Sequence, residues 1–299
     1  MQLYKTTITP TSNFATPLKG DTLFGQICWG VYYSLRDGEK RLSKLLQEYK
    51  NRPFLVVSDA FVKGYLPKPK MPSYLLGENA EEKKINRKKI WLRLDELKSG
   101  KYNQAKTNKE VMTIEHTDNI VMHNSINYQG FHTKKGFDPY GEREFILEEN
   151  DIYFLLDNKQ LKLDELENAF DLVSQMGYGK DTTIGKGRFK YSKFKEVNNF
   201  FGDSKYYMSL SPISPQGLEC KNIYYDPFTK FGKFGLNRAY KNSFKKPILL
   251  ADTATVIEFQ DKEYYQFLGQ EVSGLSNIYK DTIHQGYSIV VPIEVKNGK

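Results

Sequence analysis

Residues 177–190, GYGKDTTIGKGRFK, bring Gly177, Gly179, Gly185 and Gly187 together with Lys180, Lys186, Arg188 and Lys190. Glycines let a backbone approach a ligand closely, and the bases point to an anion. A phosphate-binding P-loop needs Gly-x4-Gly-Lys-Ser/Thr between a strand and a following helix. Here Gly187 takes the Ser/Thr position, a helix pattern precedes the loop and a strand pattern follows it. A triphosphate cradle is therefore not expected. A clamp on a nucleic-acid backbone survives these objections, with the amides of Gly179, Gly185 and Gly187 as donors and Lys180, Lys186 and Arg188 as charge. A glycine-rich turn with solvated lysines is the equal rival.

Two further tracts carry similar chemistry. FTKFGKFGLNRAYKNSFKK, at 228–246, interleaves Lys230, Lys233, Arg238 and Lys241 with Phe228, Phe231, Phe234 and Tyr240 and contains no acid. Cations beside rings suit single-stranded RNA; a loop pinned by apolar anchors is the alternative. MHNSINYQG, at 122–130, offers His123, Asn124, Ser125, Asn127, Tyr128 and Gln129, neutral groups able to meet base edges or 2′-hydroxyls, or simply a polar loop.

Catalytic chemistry has little to stand on. The four histidines, His116, His123, His132 and His284, lack metal-ligand spacing. An acid–base ribonuclease using His123 or His284 is conceivable, but nothing nominates a pair. Asp21 in LKGDTLFG reads as a helix N-cap before it reads as a catalytic or metal carboxylate. No catalytic residue, metal or cofactor is expected.

The elements that position these residues follow from periodicity. Residues 2–9 alternate as a strand, and a helix follows in LKGDTLFGQICWGVYYSLRDG, capped by Asp21 or Thr22 and ended by Gly38. A polar helix at 39–50 and an apolar strand at 54–62 come next. Residues 63–150 read as a long insertion with little core material and a possible hairpin, EFILEE at 144–149 being one of its strands. Then come a strand at 151–157, a helix at 163–177 capped by Asp164 with Glu167, the glycine-rich loop, and a strand at 188–197. The order matches the ferredoxin-like βαββαβ arrangement. From 203 onward only strand patterns recur, consistent with a second, degenerate unit.

The chain has 299 residues, a net charge of +8, and only Cys28 and Cys220 as cysteines. A basic balance leans toward a nucleic-acid partner. The cysteines argue against a disulfide scaffold and fit a reduced, cytoplasmic setting. Lys5 interrupts any secretory h-region, and no apolar run is long enough to span a membrane.

In order, PLKGDTLFGQICWG, SDAFVKGYLPKP, HNSIN, GYGKDTTIGKGRF, FTKFGK, KKPILL and HQGYSIVVPIEV resemble the RAMP subunits that cap the crRNA 5′ handle in type III-A CRISPR (Csm) effectors. The resemblance spans nearly the whole chain except 81–115. It implies an α+β fold of tandem ferredoxin-like (RRM-like) RAMP domains, 1–200 with an insertion at 63–150 bearing a thumb hairpin, and 203–299. It implies a non-catalytic role: holding the crRNA 5′ handle and bridging the large polymerase-type subunit to the backbone RAMP subunit, with no membrane and no small-molecule substrate. Gly179, Lys180, Gly185, Lys186, Gly187 and Arg188 match its glycine-rich motif, and His123, Asn124, Ser125 and Asn127 match HNSIN. Lys19 and the pair His284–Gln285 match two further motifs. An endoribonuclease of the same superfamily, cutting CRISPR repeat RNA by histidine chemistry, is the alternative.

Overall fold

The computed structural model describes residues 1–113, 119–124, 126, 130, 138–235, 238 and 244–295. Its first sheet is built on the strand Gln2–Pro10, which pairs antiparallel with Asn150–Leu156 on one side and with Phe189–Tyr191 and Lys195–Glu196 on the other. Leu55–Val57 and Phe61–Val62 pair with the far edge of Asn150–Leu156. Counted as a βαββαβ unit, the strands lie in the order fourth, first, third, second, the interleaving that a split βαβ pair produces.

Two helices, Gly20–Ser34 and Leu163–Met176, cover one face of this sheet. Their apolar stripes meet, with Ile27, Val31, Ala169 and Phe170 fully buried. Gly30 lets the axes approach: a Cβ there would lie 2.4 Å from the Ala169 carbonyl oxygen. Phe170 packs edge-on against Phe154 of the central strand at 5.3 Å between ring centroids.

The second sheet runs in the order Asn222–Tyr224, Val256–Tyr264, Asp203–Ser209, Tyr287–Ile293, Phe267–Gly269, with antiparallel neighbours throughout. Its strands alternate between two cores. Met208, Val256, Ile289 and Val291 face the main core, whereas Tyr207, Ile257 and Val290 face a smaller cluster. No α-helix occurs among the described residues from 203 to 295. Pro227–Lys230 and Ile248–Ala251 pair as a separate two-stranded arm.

Several local expectations are revised. Helix Gly20–Ser34 starts after Lys19, so Asp21 sits inside its first turn, and Gly38 opens the next helix, Gly38–Glu48. The helix at Leu163 is capped through Glu165, whose carboxylate accepts the Lys162 N–H at 2.9 Å, and not through Asp164 and Glu167. The run at 188–197 is broken into two short strands. Residues 64–107 are not core-poor: Leu66–Pro67, Lys89–Leu92 and Lys106–Thr107 form a small sheet, and Leu66, Leu76, Leu92, Leu97 and Tyr102 are buried in the main core. The hairpin exists, but its strands are Asn119–His123 and Tyr140–Glu144 rather than 144–149.

Candidate nucleic-acid interface

All four glycines of the loop have positive φ, from 75° at Gly187 to 96° at Gly177. They do different things. A Cβ on Gly187 would lie 2.1 Å from the Tyr178 carbonyl oxygen, and one on Gly177 would lie 2.4 Å from the Lys186 carbonyl oxygen. Those two residues fold the loop onto itself. Gly185 would meet nothing within 4 Å, so only its φ of 91° demands glycine. The expected amide donors are partly committed: Gly187 N–H donates to Asn13 O at 2.8 Å and Gly185 N–H to Thr182 O at 3.0 Å.

The loop lysines reach the hairpin. Lys186 Nζ lies 2.6 Å from Glu144 Oε1 and 3.4 Å from His123 Nε2, and Lys180 pairs with Glu142. Asn13 donates to Glu144 at 2.8 Å. Lys186 and Asn13 hold the Glu144 carboxyl below the usual range, as Lys180 does for Glu142. His123 stacks on Tyr140 across the hairpin at 5.7 Å. Along the same stretch the hairpin exposes Ile120, Val121, Met122 and Tyr140, with Asn124 and Ile126 also exposed after its first strand. Ser125 and Asn127 lie outside the described residues. Arg188 and Lys190 face solvent beside the loop.

The basic arm carries its charges beside rings. Lys230 and Lys19 lie 5.8 and 5.3 Å from the Phe228 centroid, and Lys233 lies 5.0 Å from that of Phe244. Such contacts stabilise cations over aromatic faces. Phe231 and Phe244 are 72% and 61% exposed, far more than apolar anchors of a loop would be, whereas Phe234 is buried. Lys233 is exposed.

Lys19, Lys230, His284 and Gln285 converge on a polar seam between the two sheets. Lys19 Nζ pairs with Asp59 at 3.0 Å and Asp252 at 2.7 Å. Burial opposes the Lys19 charge, but the two carboxylates outweigh it and raise its pKa above the ordinary lysine value. Asp21, fully buried, faces Lys230 at 3.0 Å and His284 at 3.2 Å. Burial would raise its pKa, yet His284 and Lys230 hold it well below the carboxylate range. Gln285 is buried and acts as a substitute strand: its amide donates to Val57 O at 2.8 Å and accepts from Val57 N–H at 2.9 Å. Local patterns do not foretell this seam, because its partners are separated by up to hundreds of residues. Lys19, Lys230, His284 and Gln285 stand out in the sequence as RNA contacts and Asp21 as a cap, but none as a partner of another. Among the described residues no cluster of three potential metal ligands occurs, and no helix is long and apolar enough to cross a membrane.

No protein-family model matches the sequence, and neither does any curated protein. Solved structures do. The chain is similar over its full length to a chain of the crystal structure of a Csm1–Csm4 cassette in complex with pppApA, with 16% identity and a TM-score of 0.61 over 100% of both chains. It is similar to a chain of the Csm3–Csm4 subcomplex of a type III-A CRISPR-Cas interference complex, with 17% identity and a TM-score of 0.62 over 98% of this chain and 100% of that one. Csm4 is the component named in both assemblies, and this chain has a mixed α+β fold like that of the matched chains.

Proposed function

We propose that the chain is a non-catalytic, RNA-binding subunit of a type III-A CRISPR ribonucleoprotein. It anchors the crRNA 5′ handle and bridges the large polymerase-type subunit to the backbone RAMP subunit. The observation that carries this reading is the full-length match to a fold found both in a Csm1–Csm4 cassette and in a Csm3–Csm4 subcomplex. The exposed arm supports it, since Lys233 beside solvent-facing Phe231 and Phe244 offers charge for phosphates and rings for bases. Arg188 and the hairpin, held by Lys180 and Lys186, frame the other side of the strand's path. Lys19, Lys230, His284 and Gln285 support the site from behind by fixing unit 1–200 against unit 203–299. His284 is only 7% exposed, which favours this supporting role over acid–base cleavage.

Co-expression with candidate partner subunits and a CRISPR array, followed by affinity purification and sequencing of bound RNA, tests the reading. The expected RNA begins with a repeat-derived 5′ handle. Recovery of the partners without RNA, or of RNA without that end, overturns it. Incubation with labelled repeat RNA separates the ribonuclease alternative, which requires specific cleavage.

A further inference from the structure

The first sheet has a second face, away from its helices, and one half of it is a cationic track. Strand register defines it. Ile8 and Tyr191, directly opposed, belong to the helix side, where Tyr191 packs against Phe170 at 4.9 Å. Thr9 and its partner Lys190 therefore point to the other side, as do Lys5 and its partner Lys195. Lys190 and Lys195 are exposed, and so is Lys193 in the irregular step between them. The carboxylates on this face are already committed: Asp151 accepts Lys5 at 3.0 Å and Thr7 at 2.6 Å, and Glu149 pairs with Lys63 at 2.7 Å.

Two features point to an anion. Lys193 and Lys195 face solvent with no carboxylate paired to them among the described residues, while Lys5, opposite Lys195, already has Asp151 as its counter-charge. At the end of the face, the turn at Gly64 donates to Asp151 at 2.9 Å, and the next residue, half-buried Tyr65, has Lys106 5.6 Å and Arg93 5.8 Å from its ring centroid, with Lys106 also donating to its hydroxyl at 3.3 Å. That places a ring beside two cations.

We propose that this face binds single-stranded RNA without sequence preference, at a site separate from the arm and the glycine-rich loop. Lys193 and Lys195 contact phosphates, and Tyr65 takes a base. Lysine is depleted at protein–protein interfaces, and the track offers no exposed apolar anchor, so RNA fits it better than a protein partner does. The site needs neither the handle nor its sequence.

The test titrates fluorescein-labelled oligouridylate into the full chain, alone and saturated with handle RNA, over a salt series. Lys193→Gln/Lys195→Gln should weaken binding and reduce the slope of log K against log salt by about 1.4, at roughly 0.7 per lost contact on a single strand. Handle affinity should be unchanged, so loss of the handle result alone counts against the proposed function and not against this track. A 4-thiouridine oligonucleotide should crosslink to Tyr65 in the wild type. Equal oligouridylate binding and slope in the variant would overturn the proposal. So would equally tight competition by poly-L-glutamate, which marks a docking face for an acidic protein.

Discussion

Lys186 Nζ lies 2.6 Å from Glu144 Oε1 and ties the glycine-rich loop to the base of the hairpin. Both side chains are about nine-tenths shielded, yet they sit where a thin hairpin leaves the body, so bulk water still screens them. Breaking the pair from one side should cost about 1–2 kcal/mol, below the range for a deeply buried pair. Lys186→Ala should lower stability by that amount and speed amide exchange in 119–123 and 140–144. A double-mutant cycle with Glu144→Gln measures the coupling; additive effects would show that the hairpin is held by something else.

The same contacts set a pH dependence. Lys180 and Lys186 hold the Glu142 and Glu144 carboxyls below their ordinary value near 4.5. A carboxyl with a depressed folded pKa contributes stability that is complete above its unfolded pKa and is lost as pH falls through the folded one. Hairpin docking should therefore hold steady through neutral pH and loosen only below about pH 4.5. Protection of the hairpin amides, corrected for intrinsic exchange, reports it. Loosening already between about pH 6 and 7 would show that these two carboxyls do not control the docking.

Gln285 bonds both backbone groups of Val57 from 228 residues away in sequence. Gln285→Ala leaves a buried N–H and a buried carbonyl without partners, at about 1–3 kcal/mol each. Gln285→Asn should not rescue the loss, since its shorter side chain cannot reach both. Chemical denaturation measures the cost; a change below about 0.5 kcal/mol, the size of an ordinary surface substitution, would remove the bridge from the account.

The loop glycines should separate under alanine substitution. At Gly185 there is room, and only the left-handed backbone is strained, so the cost is about 1–2 kcal/mol. At Gly187 the new Cβ would overlap the Tyr178 backbone as well, so the loop must refold and the loss should be clearly larger. Equal melting temperatures for the two variants would contradict this division.

Much of the fold is legible in the sequence because it is written in local periodicity. The stripe Leu166, Phe170 and Val173 and the alternation of residues 2–9 place a helix and a strand where both occur. Residues 64–107 hide their contribution because Leu66, Leu92, Leu97 and Tyr102 are spaced irregularly among charges, and each is buried by contacts distant in sequence. The cap at Lys162 is missed for a similar reason: Glu165 serves both that N–H and Arg41, which comes from the preceding polar helix. At the interface, composition marks the basic tracts but cannot say which cations are internally matched. Lys19, Lys180, Lys186 and Lys230 each face a carboxylate, whereas Arg188 and Lys233 face solvent.

The central claim is that this chain grips a guide-strand handle electrostatically and leaves it intact. Fluorescence anisotropy of labelled 5′-handle RNA against salt, for the wild type and Arg188→Ala/Lys233→Ala, tests it most directly. The account predicts steep salt dependence in the wild type, a slope shallower by about 1.4 in the variant, and full-length RNA at the end of the titration. Identical slopes for the two proteins, or handle RNA cut at a defined position, would contradict it.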